Sequence, residues 1–165
     1  FTAKPGHALL AAVDLRGAYR GDGTLFWNAS VDAPGERLRG DMALLPELAE
    51  ADLVTGGKDI SNGGLPGTLA MFCATSRCGA TIVLDDLPMP DDVDLKRWLL
   101  SFPSYGYLLT AESEKAAEVI RRFAQRGIAC RQIGLMEAGD SIYLRHGPAQ
   151  GLLCQIPFPP KEKGR

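Results

Sequence analysis

No stretch of this sequence is long and apolar enough to cross a bilayer. The longest unbroken apolar runs, such as Ala8 to Val13, are six residues, where a spanning helix needs about 20. An excess of basic charge is also missing. The 18 Lys and Arg face 20 Asp and Glu, both signs are mixed along the chain, and the net charge is −2. That leaves nucleic-acid binding without an electrostatic footprint. Histidine is scarce: His7 and His146 stand alone, neither with a patterned Cys, Asp or Glu partner that would start a metal site or a catalytic pair. The four cysteines, Cys73, Cys78, Cys130 and Cys154, form no CxxC. They sit in apolar patterns, as buried free thiols of a reducing cytoplasm do. Ser101, Ser104 and Ser141 lie in no nucleophile elbow, so a hydrolase triad has no support. No basic start followed by an apolar leader is present, and the expected location is cytoplasmic. The first residue is Phe1 rather than Met, which fits a piece of something longer.

What is present is ordinary globular material. An apolar fraction of 45% over 165 residues is enough for one domain with a real core. His7 to Leu15 reads as a strand covered on both faces. Residues 16–35, punctuated by glycines, read as a long connection with a short strand near Leu25-Phe26-Trp27. Leu38, Met42 and Leu45 recur at helical spacing. Pro46 would lose an intrahelical bond there, so it is expected to open a second short helix over 46–50. A helix over 65–76 would place Leu65, Leu69, Phe72 and Cys73 on one face. Residues 79–84 form a short strand, and Asp94 caps a helix running to Leu100. Tyr105 to Thr110 is a strand. Glu112 to Arg126 is the clearest helix, with Ala116, Val119, Ile120 and Phe123 inward and Gly127 as its stop. Strands follow over 128–134, 141–145 and 151–156. The class is α+β, a mixed and mostly antiparallel sheet packed with helices. The Pro-rich and charged tail, 157–165, is expected to be flexible.

The most informative stretch is Lys58-Asp59-Ile60-Ser61-Asn62-Gly63-Gly64-Leu65. A carboxylate, a hydroxyl, an amide and two glycines meet where a strand or turn runs into a helix N-terminus. Unpaired N–H groups and the positive end of the helix dipole make such a junction a phosphate site. A carboxylate beside phosphate repels it unless a divalent cation lies between them, so the pattern points to metal-bridged phosphoryl chemistry. The structural alternative stays open: Ser61 or Asn62 caps the helix while Asp59 complements its dipole. Asp91, Asp92 and Asp94 read as a solvated cap rather than a calcium loop. Trp27 and Trp98 read as core or contact residues.

The order of these elements resembles the C-terminal domain of aminoimidazole ribonucleotide synthase-like proteins. The resemblance is carried by the glycine junction, its helix, the Gly79-Ala80-Thr81-Ile82 strand, the Pro88-Met89-Pro90 turn, the 104–109 strand, the 116–127 helix and the Ile133-Gly134 ending. That superfamily includes thiamine-monophosphate kinase, selenophosphate synthetase, formylglycinamidine ribonucleotide synthetase and a hydrogenase maturation protein. The resemblance spans about residues 38–137, within a domain expected over 36–156. Residues 1–35 are expected to hold the last strand of a preceding ATP-binding domain and a connection. The resemblance implies ATP and Mg²⁺ as cofactors and an enzyme that phosphorylates an oxygen of a small molecule. It further implies an N-terminal ATP-binding domain and a homodimer when that domain is present. Lys58, Asp59, Ser61, Asn62, Gly63 and Gly64 become the candidate cofactor-binding residues, with Asp59 as the metal ligand. Asn62 stands where the kinase branch has a second Asp, and residues 102–106 lack the acids that branch carries. No catalytic residue is assigned. As an isolated piece the chain would be inactive. The alternatives are a non-catalytic ligand-binding or protein-interaction domain and, by fold analogy alone, a ferredoxin-like sensor over 79–134.

Overall fold

A computed structural model describes residues 2–158. In chain order the elements are β1 (Ala8–Val13), β2 (Ala18–Tyr19), β3 (Phe26–Asn28), α1 (Gly35–Glu50), β4 (Gly56–Asp59), α2 (Gly64–Ser76), β5 (Gly79–Val83), α3 (Leu95–Leu100), β6 (Phe102–Pro103), β7 (Gly106–Ala111), α4 (Ala116–Gln125), β8 (Ala129–Glu137), β9 (Ser141–His146) and β10 (Ala149–Gln155). Seven strands form one sheet in the order β10-β9-β5-β8-β1-β7-β4, and β2, β3 and β6 form a small second sheet. Within the large sheet only the β5–β9 pair is parallel. The mixed, mostly antiparallel α+β architecture therefore holds. No described helix is long and apolar enough to cross a membrane.

The position of β1 corrects the expected domain boundary. All six of its residues are buried, and it pairs antiparallel with β7 on one side and β8 on the other. A strand hydrogen-bonded along both edges belongs to the sheet it completes, so residues 8–13 are the centre of this domain, not the end of a preceding one. Alternation along β1 divides the core in two. Leu9, Ala11 and Val13 face Leu69, Phe72, Trp27 and Trp98, whereas Ala8, Leu10 and Ala12 face Leu44, Leu48, Val119 and Phe123. Thus α1 and α4 cover one face, and α2, α3 and the small sheet cover the other. Trp27 is core, edge-on to Trp98 with ring centroids 5.4 Å apart, and its Nε1 donates to the Asp14 carbonyl at 3.0 Å.

A second correction concerns Pro46, which lies inside one continuous helix, α1, rather than opening a new one. Pro46 forfeits one intrahelical bond on an exposed face, while Leu44 and Leu48 on either side are buried against α4 and the sheet. Burial of both turns outweighs the single lost bond. The inward face also differs from expectation, because Asp41, Leu44 and Leu48 are buried while Met42 is exposed. Elsewhere the local rules hold. Asp94 caps α3 by accepting from the Arg97 amide at 3.1 Å, and Val119 and Phe123 of α4 are fully buried. Cys73, Cys78 and Cys130 are free and buried, and Cys154 is free and half-buried. Of the tail expected to be flexible, residues 159–165 lie outside the described residues.

Candidate functional site

The glycine junction lies at the open margin of the large sheet. There β4 is an edge strand, paired on one side only, with Asp59 opposite Tyr107. The ladder ends where the Ile60 amide donates to the Gly106 carbonyl at 2.8 Å. The chain then turns through Gly63 at φ 97° and Gly64 at φ 62°, left-handed conformations that favour glycine. The turn is held from within: the Gly64 amide donates to the Ser61 carbonyl at 2.9 Å, and the Ser61 amide donates to Thr68 Oγ1 at 3.3 Å.

These bonds sort the six candidate residues. The Asp59 side chain is 60% exposed, and its Oδ1 lies 3.4 Å from Lys58 Nζ. Ser61 is half-buried, whereas Asn62 and Gly63 are exposed. No side chain caps α2, which overturns capping by Ser61 or Asn62. The Asn62 and Gly63 amides have no hydrogen-bond partner among the described residues, and Pro66 supplies no N–H at all. Gly64 stands apart. It is buried against the end of α3, where a Cβ would come 2.1 Å from the Leu99 carbonyl oxygen, and its amide is already engaged. Among the exposed residues of the turn, the amides left to meet an anion are those of Asn62 and Gly63.

Beside the junction an open groove of about 990 Å³ follows the free edge of β4. Lys58 and Asp59 form its floor, with Leu45 and Ala49 of α1 on one bank and Met71 and Thr75 of α2 on the other. Tyr107 also lines it, and burial first, then the nearby Asp59 carboxylate, push its phenol pKa upward. Among the described residues no three His, Cys, Asp or Glu side chains are grouped to hold a metal ion. Asp59 thus offers one carboxylate, and a cation there would need its other ligands from a phosphate chain or another part of the protein. The residues fit half of a metal–phosphate site. Neither histidine lines this groove. His7 Nδ1 pairs with Thr55 Oγ1 at 2.9 Å, and His146 Nδ1 lies 3.2 Å from Asp85, a partner the sequence spacing hid.

A second polar centre, unforeseen from the sequence, lies at the same end of the sheet. Asp14 follows β1 and Asp41 sits in α1; both are 2% exposed. Arg16 grips Asp14 through Nε at 2.7 Å and Nη2 at 3.1 Å and reaches Asp41 at 3.2 Å. Arg126 Nε donates to Asp41 at 2.9 Å. Arg37 lies farther off, 3.5 Å from Asp14 and 3.9 Å from Asp41. The signal was there to find. Asp14 continues the alternation of Ala8, Leu10 and Ala12 on a buried face, and a carboxylate on such a face requires a cationic partner.

Residues 27–147 match the family model described as AIR synthase related protein, C-terminal domain. The chain is 35% identical over 156 residues to an uncharacterised protein of Synechocystis sp., covering 94% of this chain and 48% of that one. It is 32% identical over 145 residues to an uncharacterised protein of Methanocaldococcus jannaschii, covering 88% of this chain and 45% of the relative. The chain therefore spans about half the length of the curated relatives it matches. Among solved structures, the fold is similar to Thermotoga maritima PurL complexed with ATP, at TM-score 0.71 and 16% identity over 94% of this chain and 25% of that one. It is also similar to the hydrogenase maturation protein HypE in complex with ATP, at TM-score 0.67 and 14% identity over 96% of this chain and 53% of that one.

Proposed function

The chain belongs to the AIR synthase related proteins, as their C-terminal domain, and on that premise we propose that it forms one wall of a Mg-ATP cleft. The enzyme so assembled phosphorylates an oxygen of a small molecule, and the 165-residue chain alone does not turn over. The observation that carries this reading is the exposed Asp59 carboxylate beside the uncapped start of α2, where the Asn62 and Gly63 amides are without partners among the described residues. The ATP named with the PurL and HypE structures supports it. When bound, ATP supplies the phosphoryl group and Mg²⁺ neutralises its charge.

In this reading the Asn62 and Gly63 amides bind terminal phosphate oxygens, assisted by the positive end of α2. Asp59 faces the cation and Ser61 adds a hydroxyl contact. Lys58 balances Asp59 when no cation is near. The remaining ligands come from the preceding half of the protein, across a homodimer.

A single carboxylate with two amides is a weak hold on Mg-ATP. Calorimetry of the 165-residue chain should find no affinity tighter than about millimolar, and micromolar binding would contradict the half-site. In a chain that also carries the preceding half, Asp59→Asn should cut ATP turnover by about 10²-fold or more with the melting temperature unchanged. The second reading, a non-catalytic ligand-binding or interaction domain, is favoured by the lack of a grouped metal-ligand set among the described residues. It requires that Asp59→Asn leave every ATP-linked signal unaltered.

A further inference from the structure

We propose that the open groove along β4 receives an added strand, supplied by the segment that precedes Phe1 in the longer protein. That this segment is the occupant rests on the function proposed above, which calls for a preceding half. β4 is the outer strand of the large sheet, bonded to β7 on one side and to no described strand on the other. The Ile60 amide donates to the Gly106 carbonyl, and bonded positions alternate along an antiparallel ladder. Gly56, Lys58 and Ile60 therefore turn their amides toward β7. Gly57 and Asp59 turn their N–H and C=O groups into the groove they line. That is the edge pattern an incoming strand completes.

The course of the first residues identifies what fills the groove. Ala8 of β1 lies opposite Ala111 and Gly56 of β4 opposite Thr110, so β1 and β4 begin at the same end of the sheet. Residues 2–7 cross beneath that end. The Gly6 amide donates to the Met136 carbonyl at 2.8 Å, and Ala3 is buried, its carbonyl accepting from Cys78 Sγ at 3.7 Å. Thr2 completes the crossing, because its amide and its Oγ1 both donate to the Thr55 carbonyl, at 2.9 and 3.0 Å. Thr55 directly precedes β4, and Thr2 lines the groove. Traced backwards, the chain has reached the outer margin of the sheet at the foot of its unpaired edge.

The walls set the chemistry of the strand. Leu45 and Ala49 of α1 overhang one side and Met71 and Ala74 of α2 the other, with Met71 left exposed. Both faces of an added strand lie under a helix, which calls for apolar residues at consecutive rather than alternating positions. Four of them match the four residues of β4, about 13 Å of extended chain. Running upstream from Thr2, the strand lies antiparallel to β4 and ends beside Asp59. The preceding half is thereby delivered to the glycine junction, where its ligands are needed.

Amide hydrogen exchange without nucleotide tests this, comparing the 165-residue chain with a chain that also carries the preceding half. In the 165-residue chain the Gly57 and Asp59 amides should exchange freely, while that of Lys58 is slowed by its bond to β7. In the longer chain both are expected to slow by about 100-fold or more. Met71→Glu or Ala74→Glu, each at an exposed position, should restore fast exchange there and leave the melting temperature of the 165-residue chain unaltered. Equal exchange in the two chains, or protection indifferent to both substitutions, would overturn the proposal. So would protection that rises with protein concentration, the mark of a second copy on the edge. Exchange reads the strand and ATP turnover reads Asp59, so the failure of either leaves the other measurement to stand.

Discussion

Asp41 and Arg126 are 85 residues apart in sequence and 2.9 Å apart in space, joined by Nε to Oδ1. Their contact fastens the middle of α1 to the end of α4 above the end of β1. Arg126 Nη2 adds a bond to the Arg37 carbonyl at 3.2 Å, and Arg16 Nη1 donates to the Arg126 carbonyl at 3.1 Å. One carboxylate thereby organises three chain segments.

Removing that carboxylate leaves Arg126 without its ion-pair partner and takes one of two from Arg16 and Arg37, which keep Asp14. Asp41→Ala is expected to cost about 2–4 kcal/mol, toward the lower end because Arg16 and Arg126 are partly exposed. Urea unfolding of the variant measures it. A loss below about 1 kcal/mol would mean the network is ornamental to stability.

The two junction glycines should respond unequally. Gly64→Ala combines a positive φ with a Cβ 2.1 Å from the Leu99 carbonyl oxygen, for a cost of about 3 kcal/mol. Gly63→Ala meets nothing nearer than Gly67 Cα at 3.6 Å and carries only the left-handed penalty, about 1 kcal/mol. Paired thermal melts compare them, and equal losses would contradict the packing described.

Thiol reactivity follows burial. Burial pushes the Cys73 and Cys130 thiols up to about 12, so almost no thiolate forms at pH 8. Brief alkylation of the native protein at that pH should label Cys154 first and leave these two unmodified until the chain unfolds. Peptide mass spectrometry reads the order directly.

Acid stability has an identifiable contributor on α4. Arg121 first, then Arg122, hold the Glu118 carboxyl down to about 2, from an ordinary 4.5. The unfolded chain binds that proton more readily, so the contribution is whole above about pH 4.5 and fades as pH falls toward 2. Glu118→Gln should flatten the pH dependence of the urea midpoint across that window. The difference should shrink in high salt, because the pair is solvent-exposed.

The sequence was most legible where a single rule governs a segment. The apolar run of β1, the inward stripe of α4 and the Asp94 cap each follow from local chemistry, and the structure agrees. The junction was legible as a place, though not the interior setting of Gly64, which depends on α3 arriving from far along the chain. Pro46 misled because its penalty is local while the compensating burial of Leu44 and Leu48 is tertiary. The strand assigned to the glycines, Gly56–Asp59, runs against propensity; its pairing with β7 decides it. The Arg–Asp network was hidden for a related reason: its five members come from three segments far apart in the sequence.

The central place of β1 has a consequence for how this chain acquires its shape. Neither flank of β1 is satisfied until β7 and β8, both from the second half of this sequence, have formed. Closure is therefore non-local and slow relative to helical neighbours of similar size. Trimming the first fourteen residues would not simply shorten the protein. It would pull the keystone from the arch and leave two raw margins open to self-association.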